Sequence, residues 1–189
     1  MSKPSDKVIR FIESLTLSGD YAGKKFILRD WQKEILYKLF DTLNDDGTRQ
    51  YREAGIWLPR KNAKTELAAA ICCFFLFCDP KQLEVYSAAS EREQAGIIFK
   101  KIQGMIEANP HLMKLSKIIA NQKRIINKKT GSIFASLSSV ASSQHGYSPS
   151  VVIGDEIHCW PRPDLWTALT TGSATRQEPL FISIRTAGV

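Results

Sequence analysis

The segment Lys64–Cys78 (KTELAAAICCFFLFC) restricts the possible folds more than any other part of the chain. It is apolar nearly all round at helical length, and a helix without a polar face must lie deep in a fold. Its continuous apolar portion, residues 67–78, is shorter than the ~20 residues needed to span a bilayer. Just before it, residues 54–58 form a short apolar stretch ending at Pro59, which predicts a buried strand that stops there. The order strand, tight turn, buried helix is therefore set before any motif is considered.

The same alternation continues along the chain. Residues 83–89, 151–153 and 180–185 predict further strands, and 91–108 and 163–171 predict helices, the first of them exposed. Upstream, 7–17 and 28–43 carry helical apolar spacing, with Asp30 as the expected N-cap of the second. Residues 124–127 and 132–137 flank Lys128-Lys129-Thr130-Gly131, a hairpin signal. Residues 136–150 contain seven serines and predict a mobile connection before the next strand. Strands alternating with helices imply an α/β layered fold with a mainly parallel sheet. A chain of 189 residues, 43% hydrophobic and 24% charged, is sufficient for one core and is read as one domain, 1–189.

The N-terminus is amphipathic rather than signal-like, so a cytosolic protein without a membrane partner is expected. Cys72, Cys73 and Cys78 fall in the apolar helix and Cys159 stands alone, a spacing that suits reduced, mostly buried thiols rather than a zinc site. The net charge of +7 points mildly toward a polyanionic partner.

The turn Pro59-Arg60-Lys61-Asn62-Ala63-Lys64-Thr65 joins strand to helix, the setting in which backbone N–H groups converge on a phosphate. Lys64 would reach the β- and γ-phosphates and the Thr65 hydroxyl would complete a Mg²⁺ shell. Leu58 and Ala63 stand where the usual pattern has glycine. A Cβ is costly at positive φ, so either the loop takes another path at Ala63 or Asn62 absorbs the turn. The run Val151-Val152-Ile153-Gly154-Asp155-Glu156 ends a strand in two carboxylates: Asp155 to hold the metal, Glu156 to orient and deprotonate the attacking water. Gly154 would permit close approach of backbone or ligand.

Several stretches, in order, resemble one family, the large terminase subunits of tailed phages and prophages. Leu28-Arg29-Asp30-Trp31-Gln32 resembles the family's adenine-side motif, and residues 59–65 resemble its deviant Walker A. Residues 85–95 are similar to its next strand and helix start. His145-Gly146-Tyr147-Ser148-Pro149-Ser150 leading into Asp155-Glu156-Ile157-His158 resembles its Walker B approach, and Ser183-Ile184-Arg185-Thr186-Ala187-Gly188 its coupling motif. The resemblance implies a three-layer P-loop NTPase of the RecA/ASCE type. It implies an ATP- and Mg²⁺-dependent motor that packages double-stranded DNA into procapsids in the bacterial host cytoplasm. Its partners would be the portal, the small terminase subunit and further copies in a ring. The nucleotide site would comprise Gln32, Arg60, Lys61, Asn62, Ala63, Lys64 and Thr65, the metal site Thr65 and Asp155, and the catalytic set Glu156, Arg60 and Thr186. No nuclease site is expected within residues 1–189.

Two rival readings accompany this one. Asp-Glu-Ile-His resembles the DExH box of superfamily 2 helicases, although Ala63 replaces their glycine before the lysine. The glycine-poor loop also suits a non-catalytic DNA-binding or assembly module. Arg92 and Arg176 are weaker candidates for a trans-acting arginine. His158 could link the γ-phosphate to the sheet or be a packed histidine, and Trp160 and Trp166 suit core or interface positions rather than nucleotide stacking. Lys114, Lys117, Lys123, Arg124, Lys128 and Lys129 surround the hairpin. They could contact DNA phosphates, but no interleaved aromatic is present for base stacking, which favours a solvated hairpin whose lysines discourage edge pairing.

Overall fold

The computed structural model describes residues 3–59, 62–139 and 146–186, with the side chains of Asp20 and Arg92 left aside. Six α-helices appear among these: α1 Pro4–Ser14, α2 Asp30–Asp41, α3 Lys64–Cys78, α4 Arg92–Glu107, α5 Pro110–Leu115 and α6 Asp164–Gly172. The strands are β1 Glu53–Leu58, β2 Glu84–Ala89, β3 Ser116–Ile119, β4 Arg124–Asn127, β5 Ile133–Ser138, β6 Val151–Asp155 and β7 Leu180–Thr186. They form one sheet in the order β1-β7-β6-β2-β5-β4-β3. The first five are parallel; β4 and β3 add on antiparallel, so the sheet is mainly parallel as expected.

The sheet is covered on both faces, which makes three layers. Along β6, Val151 and Ile153 face one core while Val152 faces the other; along β7, Ile182 and Ile184 oppose Phe181 in the same way. Period-two side chains with apolar residues on both faces are what a doubly covered parallel sheet requires. The larger core holds α1–α4. Every residue of α3 from Leu67 to Leu76 is buried there, so the all-apolar sequence is matched by burial all round. Full burial of a side chain such as Leu67, Ile71 or Leu76 is worth about 1.5–3 kcal/mol. The smaller core is covered by α6 through Leu165 and Leu169, with Trp166 edge-on to both Trp160 and Phe181. Trp160 and Trp166, both partly buried, pack against this core.

Five sequence expectations change. The strand at residues 54–58, expected to be buried, is the edge strand β1, on which only Ile56 is buried. The N-cap of α2 is Arg29, not Asp30, because Gln32 at the third helical position accepts the Arg29 N–H at 2.9 Å. Helix α4 is not simply exposed: Ala95, Ile98, Phe99, Ile102, Met105 and Ile106 are buried. The segment after α4 holds α5, capped by the Asn109 side chain, and strand β3, neither of which the apolar period announces. The serine-rich stretch begins inside β5, with Ser136–Ser138 as its last three residues, and residues 140–145 of it lie outside the described residues.

At its two rims the sheet differs. β3 closes one side beside α5. β1 forms the other, and Trp57 on it is 65% exposed with the Arg185 guanidinium 5.6 Å from its ring. Among the described residues no helix is long and apolar enough to cross a membrane.

Candidate nucleotide site

Three segments distant in sequence meet at the C-terminal ends of β1, β7 and β6. β1 runs into the turn before α3, β7 ends at Thr186, and β6 ends at Asp155. β7 lies between the other two, so Lys64 and Glu156 approach each other across a single strand. The Lys64 ammonium donates to Glu156 Oε1 at 2.5 Å and to the Thr186 hydroxyl at 2.6 Å. The same Glu156 oxygen accepts the Thr186 N–H at 2.8 Å and contacts the Thr186 Oγ1 at 2.7 Å. The ion pair is largely withdrawn from solvent, with side-chain exposures of 18% for Lys64 and 17% for Glu156, so it is screened less than a surface pair.

The backbone is arranged to produce this meeting. Glu156 leaves the strand in the left-handed region, φ 47 and ψ 47, and its N–H donates to the Ile184 carbonyl at 2.8 Å. That turn directs the Glu156 side chain across β7 instead of along the sheet. Its carboxyl is held below the ordinary value: burial alone would raise it, but hydrogen bonds from Lys64 and Thr186 with the Lys64 charge outweigh burial. Asp155 behaves oppositely. It is 8% exposed, its Oδ1 is buried with no hydrogen-bond partner among the described residues, and burial pushes its carboxyl up despite the Lys64 charge. A buried carboxylate oxygen with no donor is a position that suits a hard cation.

The turn before α3 resolves the question raised by Ala63. Neither alternative holds, because Ala63 itself takes the left-handed conformation, φ 52 and ψ 31, as N-cap of α3. Its neighbour Asn62 donates from Nδ2 to the Pro59 carbonyl at 3.2 Å and braces the turn. Thr65 follows Lys64 in the first turn of α3, whose end is tied to α4 by the Glu66–Lys101 ion pair at 2.9 Å. Arg60 and Lys61 lie outside the described residues, as do His145 and residues 187–189.

Gly154 makes room for side chains, not for ligand. A Cβ there would come within 2.7 Å of Trp166 and 2.8 Å of Ile157. The Trp160 indole N–H, 3.0 Å from the Asp155 carbonyl, fixes the same corner. His158 Nδ1 sits 3.7 Å from Glu156 Oε2, beyond hydrogen-bond distance. Gln32 is buried at 2% exposure, with its oxygen committed to the α2 cap. Arg176 is bound to the Ser148 and Gln82 carbonyls and to Glu84 near the start of β2, at the end of the sheet away from Lys64. The direct Lys64–Thr186 contact was not visible in the sequence: the residues are 122 apart, and only strand order brings them together.

A parallel sheet covered on both faces, with a lysine after one strand, an Asp-Glu pair after another and a hydroxyl on the strand between, defines a P-loop NTPase of the ASCE class. Residues 30–189 match the family model described as terminase large subunit, ATPase domain. The chain is 31% identical over 187 residues to the terminase large subunit of Enterobacteria phage HK97, covering 96% of itself and 36% of that protein. The crystal structure of the HK97 large terminase is similar at a TM-score of 0.86 and 29% identity, over 97% of this chain and 38% of that one. The large terminase ATPase domain of Thermus phage P74-26 shares the fold at a TM-score of 0.71 and 18% identity, over 100% of this chain and 72% of that one. The chain belongs to the terminase large subunit ATPase-domain family, and it spans a little over a third of the HK97 relative. Family membership favours the terminase reading over a superfamily 2 helicase.

Proposed function

We propose that this chain is the ATP-hydrolysing part of a motor that drives double-stranded DNA into a viral procapsid. One observation carries the reading: Lys64, Glu156 and Thr186 converge within hydrogen-bond distance at the C-terminal edge of three neighbouring strands. That edge is where open α/β sheets bind ligands, and the first turn of α3 presents N–H groups there.

The family implies nucleotide use. A divalent cation, when bound, would neutralise charge on the β- and γ-phosphates, and Asp155 and Thr65 are the residues that would hold it. The remaining roles belong to the chain's own side chains. Lys64 exchanges its Glu156 partner for the phosphates of the nucleotide. Glu156, freed from the ammonium and still held by the Thr186 N–H, turns its oxygen to the attacking water and takes its proton. Thr186 hydrogen-bonds both groups, so it responds to whether Lys64 is on Glu156 or on phosphate and passes that difference into β7. Arg60 and Lys61 would add positive charge along the loop, with Asn62 and Ala63 shaping it, and Gln32 would contribute to the base side. The motor would act as a ring of copies with the portal and a small terminase subunit, in the bacterial cytoplasm.

Phosphate release and Mg-ATP titration test this. Lys64→Ala is expected to abolish hydrolysis and weaken binding; Glu156→Gln is expected to abolish hydrolysis while keeping ATP bound. Wild-type turnover by either variant overturns the assignment. Failure of the parent chain to bind Mg-ATP at millimolar concentration favours a non-catalytic assembly module instead.

A further inference from the structure

The chain's charge is distributed very unevenly. Residues 108–154 contain no Asp or Glu and carry Lys114, Lys117, Lys123, Arg124, Lys128 and Lys129, so six of the net seven positive charges come from this quarter of the sequence. The structure sorts these six by environment. Arg124 is half-buried with a buried Nε, and Lys123 lies over α4, where its side chain would meet a Cβ placed at Gly96. Lys114, Lys117, Lys128 and Lys129 are exposed, and none of the four forms an ion pair among the described residues.

These four lysines come together at the β3 rim. Lys114 ends α5, Lys117 on β3 pairs opposite Ile126 on β4, and the Lys128 N–H donates to the Leu115 carbonyl at 2.8 Å. Protection of a sheet edge accounts only for Lys117, because the other three lie on a helix end and a turn, where no strand edge needs guarding. Positive charges gathered on one rim without acidic partners attract a polyanion. No aromatic residue occurs between Ala108 and Phe134, so the surface lacks the stacking groups that hold unpaired bases and offers only phosphate contacts.

We infer that Lys114, Lys117, Lys128 and Lys129 form a sequence-independent contact surface for the phosphates of duplex DNA. The inference rests on the DNA-motor reading above and places its substrate on the molecule. The surface lies four strands from β6, about 19 Å at the usual strand spacing, so it can be altered without touching the nucleotide site.

The test uses the 189-residue chain and a fluorescent duplex of ~20 base pairs, titrated by anisotropy over a range of salt concentrations. The variant K114Q/K117Q/K128Q/K129Q is compared with a charge-matched control, K3Q/K24Q/K25Q/K38Q. Loss of four phosphate contacts lowers the slope of log affinity against log salt by roughly three to four. The patch variant is expected to show that drop and to bind at least ~10-fold more weakly at low salt, while the control stays near the parent. Equal weakening of both variants, an unchanged patch variant, a parent that binds no duplex, or polyglutamate bound as tightly as duplex at the same salt each overturns the proposal. Phosphate release and Mg-ATP titration of the same samples separate the two readings. Hydrolysis without patch-dependent duplex binding removes only the surface, and patch-dependent duplex binding without hydrolysis removes only the motor assignment.

Discussion

Ala63 carries a methyl group where the backbone is left-handed, a conformation that costs a residue with a Cβ about 1 kcal/mol relative to glycine. The expense is tolerable because the turn is braced by Asn62 and because Leu67 N–H donates to the Ala63 carbonyl at 3.0 Å. Ala63→Gly is therefore expected to raise stability by up to about 1 kcal/mol in urea denaturation and to leave nucleotide affinity within a few-fold. Thr186 permits a sharper experiment. Thr186→Val keeps the β-branched shape and the N–H to Glu156 while deleting the hydroxyl shared with Lys64. One such hydrogen bond to a charged group is worth ~1.5–3 kcal/mol. Hydrolysis should accordingly fall about tenfold or more with ATP binding little changed, and equal losses in both would place Thr186 in binding alone. Lys64, Asp155 and Glu156 were readable as residues because their strand context is local. Their mutual geometry was not, because it depends on β7 lying between β1 and β6.

Among the elements, legibility follows burial. Helix α3 was readable to the residue because both its ends coincide with changes in composition, at Lys64 and at Cys78. Helix α5 and strand β3 were not, since six and four residues are too few to show a period, and their stability comes from the Asn109 cap and from pairing with β4. The α2 cap was misplaced by one residue because Gln32, reaching back from the third position, outcompetes the more familiar Asp30. Docking of α6 on the sheet shows how tightly one element can depend on a missing side chain. Gly154→Ala inserts a methyl group into Trp166 and Ile157, and overpacking of this kind costs about 1–3 kcal/mol. The melting temperature is expected to drop accordingly, together with hydrolysis, because Asp155 and Glu156 follow directly. A variant that melts like the parent would show that α6 can shift to accommodate the methyl.

At the scale of the molecule, the two proposed sites fall at different places along the width of the sheet. The proposed nucleotide chemistry lies on the β1-β7-β6 side, with Asp155, Glu156 and Lys64, and four exposed lysines without ion pairs among the described residues lie on the β3 side. Such a layout was only half visible beforehand: the charge excess was in the composition, but its confinement to one rim needed the strand order. The opposite rim has a practical consequence. Among the described residues, strand β1 ends the sheet with one flank unpaired and Trp57 exposed, and an exposed apolar strand edge is a template for another chain. Concentrated solutions of these 189 residues should therefore self-associate edge to edge, and Trp57→Lys should raise the protein concentration at which light scattering begins. Solubility, crystallisation and storage of this polypeptide are then expected to respond to changes at that one strand before changes elsewhere.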